Sequence, residues 1–209
     1  MTAPGIDLSF PHAWNAEILS ARPLILPPRH YVYPRDAEEV ERGALEVLVR
    51  PITLGAPEPA LSLSKGLDSE TWDPFLATCA LGFRDPTVPT GLWSAPNPQE
   101  ICAVSGGYAY LIDTTKPERF TMIPYRPVVE LRPVVEAGLL LFVGHHSILA
   151  WGLGGQAWQS AKLSDEGVTI TSVRGGILEG LGWEMVSDRE AAFTLDLHSG
   201  RHSRSGLEL

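Results

Sequence analysis

The sequence predicts a mainly β protein, an antiparallel meander of blade-like sheets with minor short helices. Three observations carry that expectation. The 18 prolines and 20 glycines are segregated, with 14 prolines in residues 1–100 and none beyond Pro133, whereas 14 glycines follow residue 100. Apolar runs in the second half are short and end at glycine turns. The last third alternates apolar and polar residues with a period of two, the spacing of a strand with one buried face. Proline removes a backbone donor and is poorly tolerated in central strands, while glycine supplies the positive φ of tight turns. The 209 residues, 44% hydrophobic and 20% charged, suffice for one domain with a real core. Within it, residues 1–70 are expected to be irregular and proline-rich, with short helices and edge strands, and residues 71–205 to form the meander. A β-sandwich is the alternative architecture.

Taken in order, Ser9 is placed to cap a short helix through Trp14 and Ile18. The proline-rich segment 22–34 is expected to cover a sheet edge. Asp36 with Glu39 fits a capping box, with Gly43 as the stop, and residues 56–69 read as a surface loop. Residues 75–83 are ambiguous. Asp73-Pro74 and Gly82 would start and stop a helix, yet a nine-residue, mostly apolar run also fits a buried strand, which is preferred. Leu139–Val143 is a strand ended by Gly144-His145-His146-Ser147. Residues 148–151 and 156–161 follow around Gly152-Leu153-Gly154-Gly155. Val168 and Ile170 alternate with Thr169 and Thr171 before the Gly175-Gly176 turn. Ile177, Leu181 and Trp183 share a face with Glu179, and Phe193, Leu195 and Leu197 alternate with Thr194, Asp196 and His198.

One pattern recurs three times: an apolar strand, an acidic or aromatic residue, then a short polar turn. The copies are Leu111-Ile112-Asp113-Thr114-Thr115-Lys116, Leu149-Ala150-Trp151-Gly152-Leu153-Gly154 and Thr194-Leu195-Asp196-Leu197-His198-Ser199-Gly200. Asp113, Trp151 and Asp196 are equivalent, at the spacing that four-stranded propeller blades produce. The last copy resembles the repeat ending of quinoprotein-type β-propellers, and Ala150-Trp151 with Trp158 is similar to that repeat's turn and tryptophan. The resemblance spans about residues 100–202 and implies a degenerate or partial propeller. Cofactors are expected to be none. The larger ring of blades is absent, and so is the adjacent cysteine pair that some members use.

Charge narrows the partners. Sixteen Lys and Arg against 25 Asp and Glu leave a net charge of −9. That is the opposite of a nucleic-acid-binding footprint and is repelled by anionic membranes. Residues 137–161 lack Asp, Glu, Lys and Arg, but glycines and histidines interrupt them short of a span. With two cysteines and no signal-peptide pattern at residues 1–7, the expectation is a cytoplasmic protein without membrane or nucleic-acid partners.

Candidate chemistry is sparse. His145 and His146 sit in a turn, and His198 and His202 lie four apart with a glycine between; a metal site needs these two groups to converge with a carboxylate. His198, Arg201, His202 and Arg204 form a basic tail read as a solvated terminus. Cys79 and Cys102 have apolar neighbours, as buried structural thiols do. The glycine pairs lack the strand-to-helix context of a phosphate loop. The six tryptophans permit a sugar platform, with buried indoles as the commoner use. No catalytic residue is assigned. The ligand-contact expectations fall on Trp151, Trp158, His145 and His146. The function expected is a non-enzymatic binding or assembly module, with a protein partner or self-association as a homodimer. A carbohydrate-binding protein or glycoside hydrolase is the alternative, and a metal-dependent hydrolase the third.

Overall fold

The structure, a computed structural model, describes residues 4–35, 43–52 and 73–204. Among the described residues it is a stack of four sheets built from seventeen strands. The first sheet has the order β2 (Trp14–Leu19), β4 (Ala44–Pro51), β5 (Phe75–Ala80), β3 (His30–Tyr33). The second runs β1 (Gly5–Asp7), β6 (Gly91–Ser94), β7 (Glu100–Ser105), β8 (Tyr108–Asp113), β9 (Phe120–Met122). The third is the meander β10 (Glu130–Val134), β11 (Leu139–Val143), β12 (Ile148–Gly152), β13 (Gly155–Gln159). The fourth is β14 (Val168–Arg174), β15 (Ile177–Glu184), β16 (Arg189–Asp196), β17 (His202–Arg204). Pairing is antiparallel throughout except for β1 on β6 and β3 on β5. The fold is therefore mainly β, with four blade-like sheets in place of the two of a sandwich.

Three apolar layers hold the stack together, and each lies between neighbouring sheets. Trp14, Val47, Phe75 and Tyr33 of the first sheet meet Ile101, Tyr110 and Ile112 of the second. Cys102, Val104 and Leu111, on the opposite face of that second sheet, meet Leu140, Phe142 and Leu149 of the third. Leu139, Leu141, Val143 and Ile148 then meet Val168, Ile170, Phe193 and Leu195 of the fourth. Successive side chains of a strand point to opposite faces, so β11 serves two layers at once. This is why it reads as an unbroken apolar run. β14 and β16 serve one layer and therefore alternate. In β15 the face shared by Ile177, Glu179, Leu181 and Trp183 is the outward one, while Leu178 is fully buried.

The turns follow from the glycines. Gly106-Gly107 and Gly175-Gly176 both have positive φ at the two central positions, the geometry of a two-residue hairpin. Gly91 is a close-approach site. A Cβ built there would lie 1.9 Å from the Gly5 carbonyl oxygen, so only glycine lets β1 pair alongside β6.

Two expectations change. Residues 14–19 form a strand, not a helix. Trp14, Ala16 and Ile18 face the first layer while Asn15 and Glu17 are exposed; a Trp14–Ile18 spacing fits either period, and pairing with β4 decides it. The basic tail is likewise partly strand, since His202–Arg204 adds to β16 and Arg204 pairs with Glu184. Helical structure among the described residues is one 3-10 turn, Val135–Ala137. No helix of the described residues is long and apolar enough to cross a membrane. The expected capping box at Asp36 and Glu39 and the loop at 56–69 lie outside the described residues.

Phe142 fills the layer between the second and third sheets and is fully buried. Phe142→Ala is expected to cost about 3–5 kcal/mol of stability in urea denaturation. Thr169→Ala, at an exposed position of the fourth sheet, is expected to change stability by no more than about 1 kcal/mol.

Candidate functional site

Among the described residues, the segment between β2 and β3, Arg22-Pro23-Leu24-Ile25-Leu26-Pro27-Pro28-Arg29, exposes three consecutive aliphatic residues, as Met185-Val186 in the β15–β16 turn exposes two. Leu24 is fully exposed, Ile25 is 88% exposed and Leu26 is exposed as well. Three prolines fix their own φ, and the residues before them, Arg22, Leu26 and Pro27, are held away from helical ψ. The loop therefore presents its aliphatic side chains on a restrained backbone. Its ends are tied to the first sheet. The Arg29 guanidinium donates to the Asp73 carbonyl at 2.6 Å and lies 5.8 Å from the Phe75 ring centroid, while the Arg29 carbonyl accepts from Leu76 N. Arg22 reaches His30, with Nη2 3.2 Å from Nε2. Neither arginine is ion-paired with a carboxylate among the described residues.

His30 links this loop to the face of the first sheet turned away from the second, which is itself buried at Leu76 and Thr78. Its Nε2 is 3.1 Å from Thr78 Oγ1, and Thr78 donates its hydroxyl hydrogen to Glu46 Oε2 at 2.6 Å. Thr78 is fully buried and Glu46 nearly so. A threonine nucleophile would have to give that hydrogen to the imidazole. Here the carboxylate takes it, and Nε2 serves one partner at a time, accepting from Arg22 or donating to Thr78 according to its tautomer. Burial, and then the Arg22 guanidinium, push the His30 pKa below its ordinary value, with the Glu46 carboxylate opposing them.

A second feature is an open cleft of about 440 Å³ on the second sheet, lined by Glu100, Leu111, Asp113, Phe120, Arg35 and Arg119 among others. Glu100 and Asp113 are register partners on β7 and β8. Burial raises the Glu100 pKa and the Asp113 carboxylate adds to it, while hydrogen bonds from Trp151 and Asn97 pull the other way. Asp113 is committed to its own turn, accepting from Thr115 N, Thr115 Oγ1 and Lys116 N.

The expected ligand residues are placed as follows. Trp151 and Trp158 are 6% and 9% exposed, and both indoles are used internally. Trp151 Nε1 donates to Glu100 Oε2 across the second layer at 2.9 Å. Trp158 Nε1 donates to the Leu197 carbonyl at 2.7 Å, and a Cβ at Gly200 would lie 2.7 Å from its ring. Both rings are thus largely covered, as is that of Trp93, while Trp183 is half-buried. His145 and His146 are exposed in the β11–β12 turn, with ring centroids 6.3 Å apart and His146 Nδ1 3.2 Å from the Ser164 carbonyl. His146 thus neighbours the end of β15, whereas His198 lies in the β16–β17 turn at the other end of the fourth sheet. Among the described residues no three His, Cys, Asp or Glu are grouped to hold a metal. Cys79 and Cys102 are fully buried free thiols whose pKa values burial drives up.

The proline-rich segment 22–34 was expected to cover a sheet edge. His30–Tyr33 does so, as β3 beside β5; the residues before it do not. The missed signal was an apolar triplet fenced by prolines, which neither a strand nor a helix interior would hold.

No family model matches the chain, and no curated protein matches it. The crystal structure of the N-terminal domain of Nup159 aligns over 97% of this chain and 53% of that one, at 10% identity and a TM-score of 0.36. The chain thus spans about half the length of that structure, and a likeness of this size carries no argument about function.

Two titrations test these anchors. A base whose folded-state pKa lies below the ordinary 6.5 binds its proton more weakly folded than unfolded. The His30 contribution is therefore complete above pH 6.5 and is lost as pH falls through the lowered value. His30→Gln is expected to flatten that part of the pH dependence of the urea midpoint. Glu100 has the reverse sign. Its raised pKa makes stability complete below the ordinary 4.5 and lost as pH rises through the folded value. Glu100→Gln keeps an acceptor for Trp151, so it is expected to raise the urea midpoint at neutral pH and leave it unchanged below pH 4.5.

Proposed function

We propose that this chain is a protein-interaction or assembly module and that residues 22–29 are its principal contact. The observation that supports this reading is the exposure of Leu24 and Ile25 on a loop anchored at both ends. Isolated exposed aliphatics are ordinary on protein surfaces. Consecutive ones on a proline-restrained loop are not, because the restraint keeps them from folding back onto the chain. Such a loop enters an interface having already lost much of its backbone freedom, which lowers the cost of ordering it. The partner in this reading is another protein or a second copy forming a homodimer, and native mass distinguishes the two.

The test is site-specific photo-crosslinking in the full chain, with the crosslinker at position 24 or, as a control, at Thr169. A discrete adduct from position 24 and none from 169 is expected. Burying an aliphatic side chain contributes about 1.5–3 kcal/mol. The double substitution Leu24→Asp and Ile25→Asp is therefore expected to weaken association with the crosslinked species by at least about ten-fold. Its thermal midpoint should stay at the wild-type value. Equal binding by wild-type and doubly substituted chains would overturn the proposal.

A further inference from the structure

We propose that the cleft on the second sheet binds a small zwitterion of the α-amino-acid class, its ammonium held by Glu100 and Asp113 and its carboxylate by Arg119 with Arg35. The strand register puts these charges in a row. Glu100 of β7 is the partner of Asp113 of β8, and the Asp113 N–H donates to the Arg119 carbonyl at 3.1 Å, next to the pairing of Ile112 with Phe120. Partners in register project to the same face of a sheet. Glu100, Asp113 and Arg119 therefore follow one another across the sheet, a row about 10 Å wide at the usual strand spacing. Arg35 joins the Arg119 end, because its Nη2 donates to the neighbouring Glu118 carbonyl at 2.8 Å. The Glu118 side chain also lines the cleft at that end, leaving two guanidinium groups against one carboxylate. One end of the cleft is thus anionic and the other cationic.

The two ends do not neutralise each other. Among the described residues neither arginine makes a salt bridge, and the Arg119 guanidinium makes no hydrogen bond either. Asp113 commits Oδ1 to its own turn, which leaves Oδ2 without a partner among the described residues. Burial, and then the Asp113 charge, raise the Glu100 pKa, and what opposes them is hydrogen bonds from the neutral Trp151 and Asn97 rather than a cation. The carboxylate pair therefore lacks a counter-charge of its own, and an ammonium supplies one. At the other end a guanidinium offers the paired donors that suit a ligand carboxylate.

The volume of about 440 Å³ lies in the range of small-ligand sites, and Leu111 and Phe120 add an apolar wall for a side chain. Simpler ligands fit less well. An inorganic anion meets two carboxylates beside the arginines. A metal ion meets two guanidinium groups and, among the described residues, no group of three His, Cys, Asp or Glu. A neutral sugar leaves both charged ends unanswered.

Saturation-transfer NMR of the full chain in an equimolar mixture of the proteinogenic amino acids identifies the best ligand. Isothermal titration then compares that amino acid with its carboxamide, which keeps only the ammonium, and its N-acetyl derivative, which keeps only the carboxylate. The amino acid is expected to bind at least about ten-fold more tightly than either. Arg119→Gln should weaken the amino acid by about ten-fold and leave the carboxamide unchanged. Glu100→Gln, which keeps an acceptor for Trp151, should weaken the amino acid and leave the N-acetyl derivative unchanged. Urea midpoints establish that both variants fold. The chain carrying Leu24→Asp and Ile25→Asp should bind the amino acid as the wild type does, since residues 22–29 do not line the cleft. Saturation transfer to no amino acid would overturn the proposal. So would a carboxamide or N-acetyl derivative that binds as tightly as the amino acid, or an affinity that ignores both cleft substitutions.

Discussion

The fold depends on the second and third sheets having two buried faces each. A sheet with one apolar face must find a partner; a sheet with two must find a partner on each side. Cys102 and Val104 of β7 point one way, into the layer with Leu140 and Phe142, while Ile101 and Ala103 point the other, toward Val47 and Phe75. The same division repeats in β11 and β12. Stacking is thus propagated from sheet to sheet by strand geometry alone. It stops at the fourth sheet because β14 and β16 bring apolar residues to one face and threonine, aspartate and glutamate to the other.

Apolar layers fix spacing but leave neighbouring sheets free to slide, and the tryptophans restrict that freedom. Trp14 Nε1 donates to the Glu100 carbonyl, joining the first sheet to the second. Trp151 Nε1 donates to the Glu100 carboxylate from the third sheet. Glu100 therefore receives an indole from each side, its backbone taking one and its side chain the other. Trp158 joins the third sheet to the Leu197 carbonyl just beyond β16. An indole serves this purpose well because it has an apolar body for the layer and a single donor with a defined direction. The raised pKa of Glu100 follows from the same arrangement, since a carboxylate set between layers is partly removed from water.

How much of this was legible in the sequence depended on range. The alternation in β14 and β16 and the glycine turns are local and were readable directly. The repeat was real at the level of topology. Asp113 and Asp196 each end the next-to-last strand of a sheet and each close the following turn by accepting from residues two or three ahead, while Trp151 holds the matching place near the end of β12. The parallel pairings of β1 with β6 and β3 with β5 bridge more than forty residues and have no local signature. The Trp14–Ile18 spacing fitted two periods, and only the position of β4 chooses between them. The burial of Trp151 and Trp158 was illegible for a related reason. A tryptophan beside a glycine turn looks available in sequence, and whether its ring is covered depends on the next sheet.

The loop at residues 22–29 stands apart from all of this because nothing in the stack requires it to be apolar. A connection between β2 and β3 needs to span a distance and keep its polar groups hydrated, and serine, asparagine or glycine would do so at no hydrophobic cost. Leucine and isoleucine add nothing to the folded state when exposed. The three prolines do contribute there, by reducing the freedom of the unfolded chain, and they also hold the side chains away from the sheet. Folding alone accounts for the prolines and the anchoring arginines but not for the aliphatic tip between them. Contact with a partner accounts for all three, because a tip of this kind gains its burial only in an interface, and gains more of it when the backbone is already restrained.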